Sequence, residues 1–115
     1  MEELTIYQRQ YDLILYAFPI INGFPKGQRF VLGQQIQNCL LDIAKLIVQA
    51  NKQRTNRLPI LAQADIEIEK LRLLIRLAKD LRMVSVKQYG TLAERINEIG
   101  RLLGGWLKSQ TAGSR

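Results

Sequence analysis

Apolar residues in this chain return every three or four positions through four long stretches, with little between them. That spacing constrains the fold more than any other feature. An α-helix turns about 100° per residue, so it gathers such positions on one face, whereas a strand would need strict alternation. The interruptions are few. Proline occurs only at 19, 25 and 59, and the main breaks are Asn22-Gly23-Phe24-Pro25, Asn51 to Pro59, and Met83-Val84-Ser85. They leave four segments, roughly residues 3–22, 26–53, 59–82 and 86–109, each long enough for about 5–7 helical turns. No β-type alternation of useful length and no internal repeat is present.

The stripes predict which residues face a core. In the first segment they are Leu4, Tyr7, Tyr11, Ile14, Phe18 and Ile21. In the second they are Leu32, Ile36, Leu40, Ile43, Ile47 and Ala50. In the fourth they are Tyr89, Leu92, Ile96, Ile99, Leu103 and Leu107, with Glu94, Glu98, Arg101 and Lys108 opposite. Pro25 and Pro59 suit a first helical turn, where a missing N–H loses no partner. Ser85 and Gln88 have capping-box spacing, and Val84 and Tyr89 sit where a hydrophobic staple would join them. Pro19 is expected to bend the first helix late or end it early. These signals predict one all-α domain over residues 1–110, an antiparallel up-down four-helix bundle, with a flexible tail at 111–115.

The third segment is unusual. Leu71, Leu74, Ile75, Ala78 and Leu81 cover one side, and Ile66, Leu73 and Leu77 widen the apolar arc to about 200°, where a bundle helix needs little over about 100°. Either this helix is the most central in the monomer, or it has a second face to bury against another copy or a partner.

Charge limits the chemistry. The 115 residues hold 17 Lys+Arg against 10 Asp+Glu, a net charge of +7, with no histidine and one cysteine. No His base, Ser-His pair or His-ligated metal is possible. Cys39 has no partner for an internal disulfide and reads as a small core or interface residue. Asp65, Glu67 and Glu69 lie early in the third helix, where the dipole favours carboxylates, and Arg72 and Arg76 are within pairing reach of Glu69. Gly100, Gly104 and Gly105 fall inside a helical stripe and are read as sites of close helix approach, not a phosphate loop. An enzyme, a metal site and a bound cofactor therefore find no support. Short apolar runs and the acidic Met1-Glu2-Glu3 start argue against a membrane span or a signal peptide, so a cytoplasmic protein is expected.

A surplus of positive charge suggests an anionic partner, most often nucleic acid. Arg72, Arg76 and Lys79 fall within about 60° on the third helix, opposite much of its apolar surface. Lys52, Arg54 and Arg57 gather at the second break. Lys26 and Arg29 open the second helix, where the dipole disfavours cations. Phosphate contact and a merely solvated face, balanced by Asp65, Glu69 and Asp80, both fit this pattern. No aromatic platform stands beside the arginines in the sequence, so sequence-specific reading of single-stranded bases is not indicated.

Three runs add a family resemblance. They are Phe24-Pro25-Lys26-Gly27-Gln28-Arg29-Phe30-Val31-Leu32-Gly33, Leu71-Arg72-Leu73-Leu74-Ile75-Arg76-Leu77-Ala78-Lys79-Asp80-Leu81, and Ile99-Gly100-Arg101-Leu102-Leu103-Gly104-Gly105-Trp106. In order and spacing the chain resembles the accessory variability determinant (Avd) proteins of diversity-generating retroelements. That family shares its fold with four-helix proteins encoded in intervening sequences of bacterial ribosomal RNA genes. The resemblance implies a non-catalytic four-helix bundle assembling as a barrel-shaped homopentamer. It implies binding to RNA and DNA and to the retroelement reverse transcriptase, in support of mutagenic complementary-DNA synthesis from the template-repeat RNA. The family's paired arginines on helix three match Arg72 and Arg76. Charge adds Lys79, Arg82, Lys26 and Arg29 as candidates. The alternatives are a protein of the ribosomal intervening-sequence type, or a basic scaffold for acidic protein surfaces.

Overall fold

Four helices form where the four segments lie, and the computed structural model describes residues 2–113 of them and their connections. Helix α1 is Glu2–Asn22. Helix α2 opens with a turn at Lys26–Gln28, passes through a π-helical segment at Arg29–Gly33 and continues as Gln34–Lys52. Helix α3 is Leu58–Asp80, and α4 is Val86–Gly113. Each packs on two neighbours, α1 and α3 both on α2 and α4, which closes an antiparallel square bundle of 49 × 23 × 20 Å. The α1–α2 and α3–α4 turns therefore share one end. The 53–57 connection, the start of α1 and the end of α4 share the other.

The caps follow the sequence chemistry. Ser85 N–H donates to Gln88 Oε1 at 2.9 Å, and Gln88 N–H donates to Ser85 Oγ at 3.0 Å, a reciprocal capping box. Val84 is buried beneath it and Tyr89 packs against the core. Pro59 lies in the first turn of α3. Pro19 does not end α1 early, since the helix continues through it to Asn22. The π-helical segment was not legible in the sequence. It falls where α2 approaches the end of α1, and Gly33 permits the approach: an added Cβ would stand 3.0 Å from the Ile21 side chain. Helix α4 runs past Thr111 to Gly113, further than the stripe indicates; residues 114–115 of the expected tail lie outside the described residues.

The core confirms the α2 stripe residue for residue, and in α4 it buries Leu92, Ile96, Ile99, Leu103 and Trp106. In α1 the stripe is rotated from its expected position. Ile6, Gln10, Leu13, Ala17 and Ile21 are buried, while Leu4, Tyr7 and Tyr11 are exposed. The cause is Gln10, a polar residue at a core position, whose Nε2 donates to the Leu40 carbonyl at 2.9 Å. A pattern built on apolar letters skips that residue and settles on the adjacent face. In α3 the core takes Leu61, Ala64, Ile68, Leu71, Ile75 and Ala78. Ile66, Leu73, Leu77 and also Leu81 are exposed, so α3 is not a centrally wrapped helix. Its extra apolar arc faces away from the bundle.

Cys39 is buried and its Sγ donates to the Glu67 carbonyl at 3.2 Å. Burial first, and then the Glu67 carboxylate, push its thiol from 9.0 up to about 12. A raised pKa favours the folded, protonated form below the ordinary value, and this contribution fades as pH climbs toward the folded one. Stability should thus fall from about pH 9 toward pH 12, through this group, in alkaline denaturation curves. A thiol reagent at pH 8 should label Cys39 only as fast as the bundle opens, and at once in denaturant; rapid labelling of the native protein would contradict its burial.

The end of α3 closes with a Schellman motif. Met83 N–H donates to the Ala78 carbonyl at 2.8 Å and Arg82 N–H to that of Lys79 at 2.9 Å. Arg82 occupies the left-handed position, φ 63°, that glycine fills without strain. Arg82→Gly should raise stability by about 1 kcal/mol, read as a Tm higher by a few degrees.

Candidate nucleic-acid interface

Helix α3 is rotated so that its core stripe points between α2 and α4. By the 100° projection, Arg72, Arg76 and Lys79 then flank the core on the α4 side, and Ile66, Leu73 and Leu77 lie directly away from it. The cations are therefore beside the outer apolar ridge, not opposite it. Arg72 and Arg76 border a groove of about 360 Å³ between α3 and α4, lined also by Glu69, Leu73, Tyr89 and Asn97 among others, and Lys79 lies beside it at Tyr89.

Each cation is held differently. Arg72 forms an ion pair with Glu69, one turn earlier. Its guanidinium also lies across α4 at Gly100, where an added Cβ would stand 2.6 Å from Nη2. Gly100 therefore makes room for a side chain, while Gly104 has nothing near it and serves no close approach. Arg76 is the most open, with 72% of its side chain exposed and Asp80 a loose 3.9 Å away. Lys79 shares that carboxylate at 3.9 Å, and its ammonium sits 4.6 Å from the centre of the Tyr89 ring. Exposed pairs of this kind are worth about 0–1 kcal/mol each, so a phosphate can take over these cations at little cost.

The remaining candidates gather at the end shared by the two short turns. Arg29 donates from Nη1 to the Asn22 carbonyl at 3.1 Å. It opens α2 against that helix's own dipole, but it closes the C-terminus of α1, where a cation is favoured. Lys26 and Arg82 are exposed and have no ion pair among the described residues. Lys87, in the first turn of α4, is a further exposed cation at this end that the sequence reading missed. Tyr89 and Asn97 were missed as well. The arginines do have an aromatic neighbour, contrary to expectation, because Tyr89 comes from α4 and reaches them only across the bundle. Helical spacing within one segment cannot reveal such a pairing.

At the opposite end Arg54, Thr55, Asn56 and Arg57 meet Ser109 and Gln110 around a hollow of about 350 Å³. Arg57 is anchored there, its guanidinium 5.9 Å from the Trp106 ring centre. Among the described residues no group of three or more His, Cys, Asp and Glu is placed to hold a metal ion, and no helix is long and apolar enough to cross a membrane. Glu67 and Glu69 instead pair with Lys70 and Arg72.

Two stretches of exposed apolar surface are built from several residues each, apart from others such as Phe30, Val31 and Val86 at the end shared by the short turns. One is the ridge of Ile66, Leu73, Leu77 and Leu81 on α3. The other is a groove of about 330 Å³ between α1 and α2, lined by Tyr7, Tyr11, Ile14, Leu41 and Val48 among others, with Gln10 at its floor. The Gln10 Oε1 is buried without a hydrogen-bond donor among the described residues.

Comparison with known proteins agrees with this architecture. A protein of unknown function from the S23 ribosomal protein family of Bacteroides thetaiotaomicron has a similar fold, with TM-score 0.84 over 94% of this chain and 99% of that one at 19% identity. No curated protein matches the chain in sequence. The family model described as bAvd-like matches residues 4–110. That span takes in the four helices but for the first residues of α1 and the last of α4, with both apolar faces and every candidate cation, and the chain belongs to the bAvd-like family.

Proposed function

We propose that this protein is a non-catalytic accessory subunit of a diversity-generating retroelement. It holds RNA and complementary DNA, and the retroelement reverse transcriptase, during mutagenic synthesis from the template repeat. The observation that carries the reading is the cationic flank of α3, with Arg72 and Arg76 along an open groove and Lys79 beside its Tyr89 wall, in a chain of the bAvd-like family. Arg82, Lys26 and Arg29 extend the attraction around the adjoining end of the bundle. Guanidinium and ammonium groups on a rigid helix contact phosphates without regard to sequence, which suits a subunit that must follow a template of varied content.

The same reading includes a homopentameric barrel. A closed ring needs two different, complementary faces on each subunit. The α3 ridge and the α1–α2 groove are two such apolar faces on different helices, one convex and one hollow. Contiguous exposed apolar faces often mark an interface. The fold likeness to an S23-family protein does not choose between this reading and the intervening-sequence alternative, because at 19% identity it speaks for the fold alone. A reverse-transcriptase gene beside a template and variable repeat decides for the retroelement; a position inside a ribosomal RNA gene decides against it.

Replacing Arg72 and Arg76 together by alanine should weaken binding to RNA and to the reverse transcriptase while folding and assembly size persist. The slope of log affinity against log salt should shrink by about 1.5, as two phosphate contacts are lost. Full retention of both associations would overturn the site; loss of polymerase binding alone would favour a scaffold for acidic protein surfaces. Light scattering should give the mass of a pentamer, and Leu73→Ser with Leu77→Ser should reduce it. A monomer at high concentration in the unaltered protein would overturn the ring.

A further inference from the structure

The α3–α4 groove offers more than charge. Its α3 side supplies Arg72 and Arg76. Its α4 side is Tyr89, Ala93 and Asn97, four residues apart and so in one row. Its floor is apolar, formed in part by the buried Ile75 and Ile96. Arg72 is placed in advance by Glu69 and by the gap over Gly100, instead of being free to sweep the solvent.

A duplex presents phosphates outward and keeps its bases stacked within, so it can use the arginines and nothing else here. An unpaired nucleotide has three features to match: a phosphate, a flat apolar base, and a polar base edge. The groove supplies a counterpart to each. Its volume of about 360 Å³ lies within the range of small-molecule sites, about 300–1,000 Å³, and suits one nucleotide better than a double helix. Aromatic and apolar surfaces beside cations are the usual means of holding single strands.

Resting on the reading that this face binds nucleic acid, we infer that the groove receives an unpaired nucleotide of a single strand. Its phosphate lies on Arg72 and Arg76, its base lies against the Tyr89–Ala93 wall, and Asn97 bonds the base edge. Single-stranded stretches of template or product are then the segments held here, and duplex is bound only by its backbone.

The test compares a labelled single-stranded oligouridine with a blunt RNA duplex, by fluorescence anisotropy on the full chain. Tyr89→Leu and, separately, Asn97→Ala should weaken single-strand binding, by about fivefold or more for the tyrosine, and leave duplex binding within about twofold. Tyr89→Phe should retain single-strand binding, because the ring is kept. Asn97 is exposed, so its variant carries no folding risk and keeps the test valid if Tyr89→Leu destabilises the bundle. Equal loss for both probes, or no loss for either, overturns the inference. So does a change in assembly mass with unchanged single-strand binding, which would mean that a second copy covers the groove. If Arg72→Ala with Arg76→Ala lowers binding of both probes while the Tyr89 and Asn97 variants do nothing, only this inference fails. If that double variant leaves both probes bound, the nucleic-acid reading of the face fails first.

Discussion

The rotation of α3 about its own axis governs what the protein can present to a partner. That rotation is set by burial of Leu61, Ala64, Ile68, Leu71, Ile75 and Ala78 between α2 and α4. Full burial of a leucine or isoleucine stabilises by about 1.5–3 kcal/mol. The exposed ion pairs along the same helix contribute about 0–1 kcal/mol each. The core therefore decides the orientation and the charges follow. Turning α3 to bury its outer leucines would withdraw the inner stripe and point the arginines elsewhere. One apolar seam thus places both the cationic groove and the outward ridge, and it keeps them side by side.

The fold was legible where the core letters are apolar. The α2 stripe is read correctly because each buried position there is Leu, Ile, Ala, Cys or Gly, with no polar side chain among them. The α1 stripe fails at Gln10. Its amide is satisfied on one side only by the Leu40 carbonyl, from another helix, and no local pattern predicts a core glutamine. Reading apolar letters alone shifts the stripe onto Tyr7 and Tyr11, which instead line the open α1–α2 groove. The misreading is informative, since a helix that shows two competing apolar faces has one to spare.

The candidate site was half legible. Arg72, Arg76 and Lys79 share a face by spacing within one helix, and the sequence reports that directly. Their surroundings depend on contacts across the bundle. Tyr89 beneath Lys79 and Gly100 beneath Arg72 come from α4, more than a full connection away. Arg29 shows the same limit. Judged within α2 it opposes the dipole, and only the Asn22 carbonyl of α1 explains why it stands there. Charge placed at the junction of two helices has to be judged by both.

The elongated shape has an electrostatic consequence. Lys26, Arg29, Arg82 and Lys87 mark one end of a bundle 49 Å long, and Arg54 and Arg57 mark the other. Ions screen charges over about 8 Å at physiological strength. The two ends are several screening lengths apart, so an anion bound at one end scarcely alters the potential at the other. Each pole can be occupied, competed for or neutralised independently. A flexible polyanion longer than the bundle can engage both at once, and its second contact then depends on tether length more than on the strength of either pole.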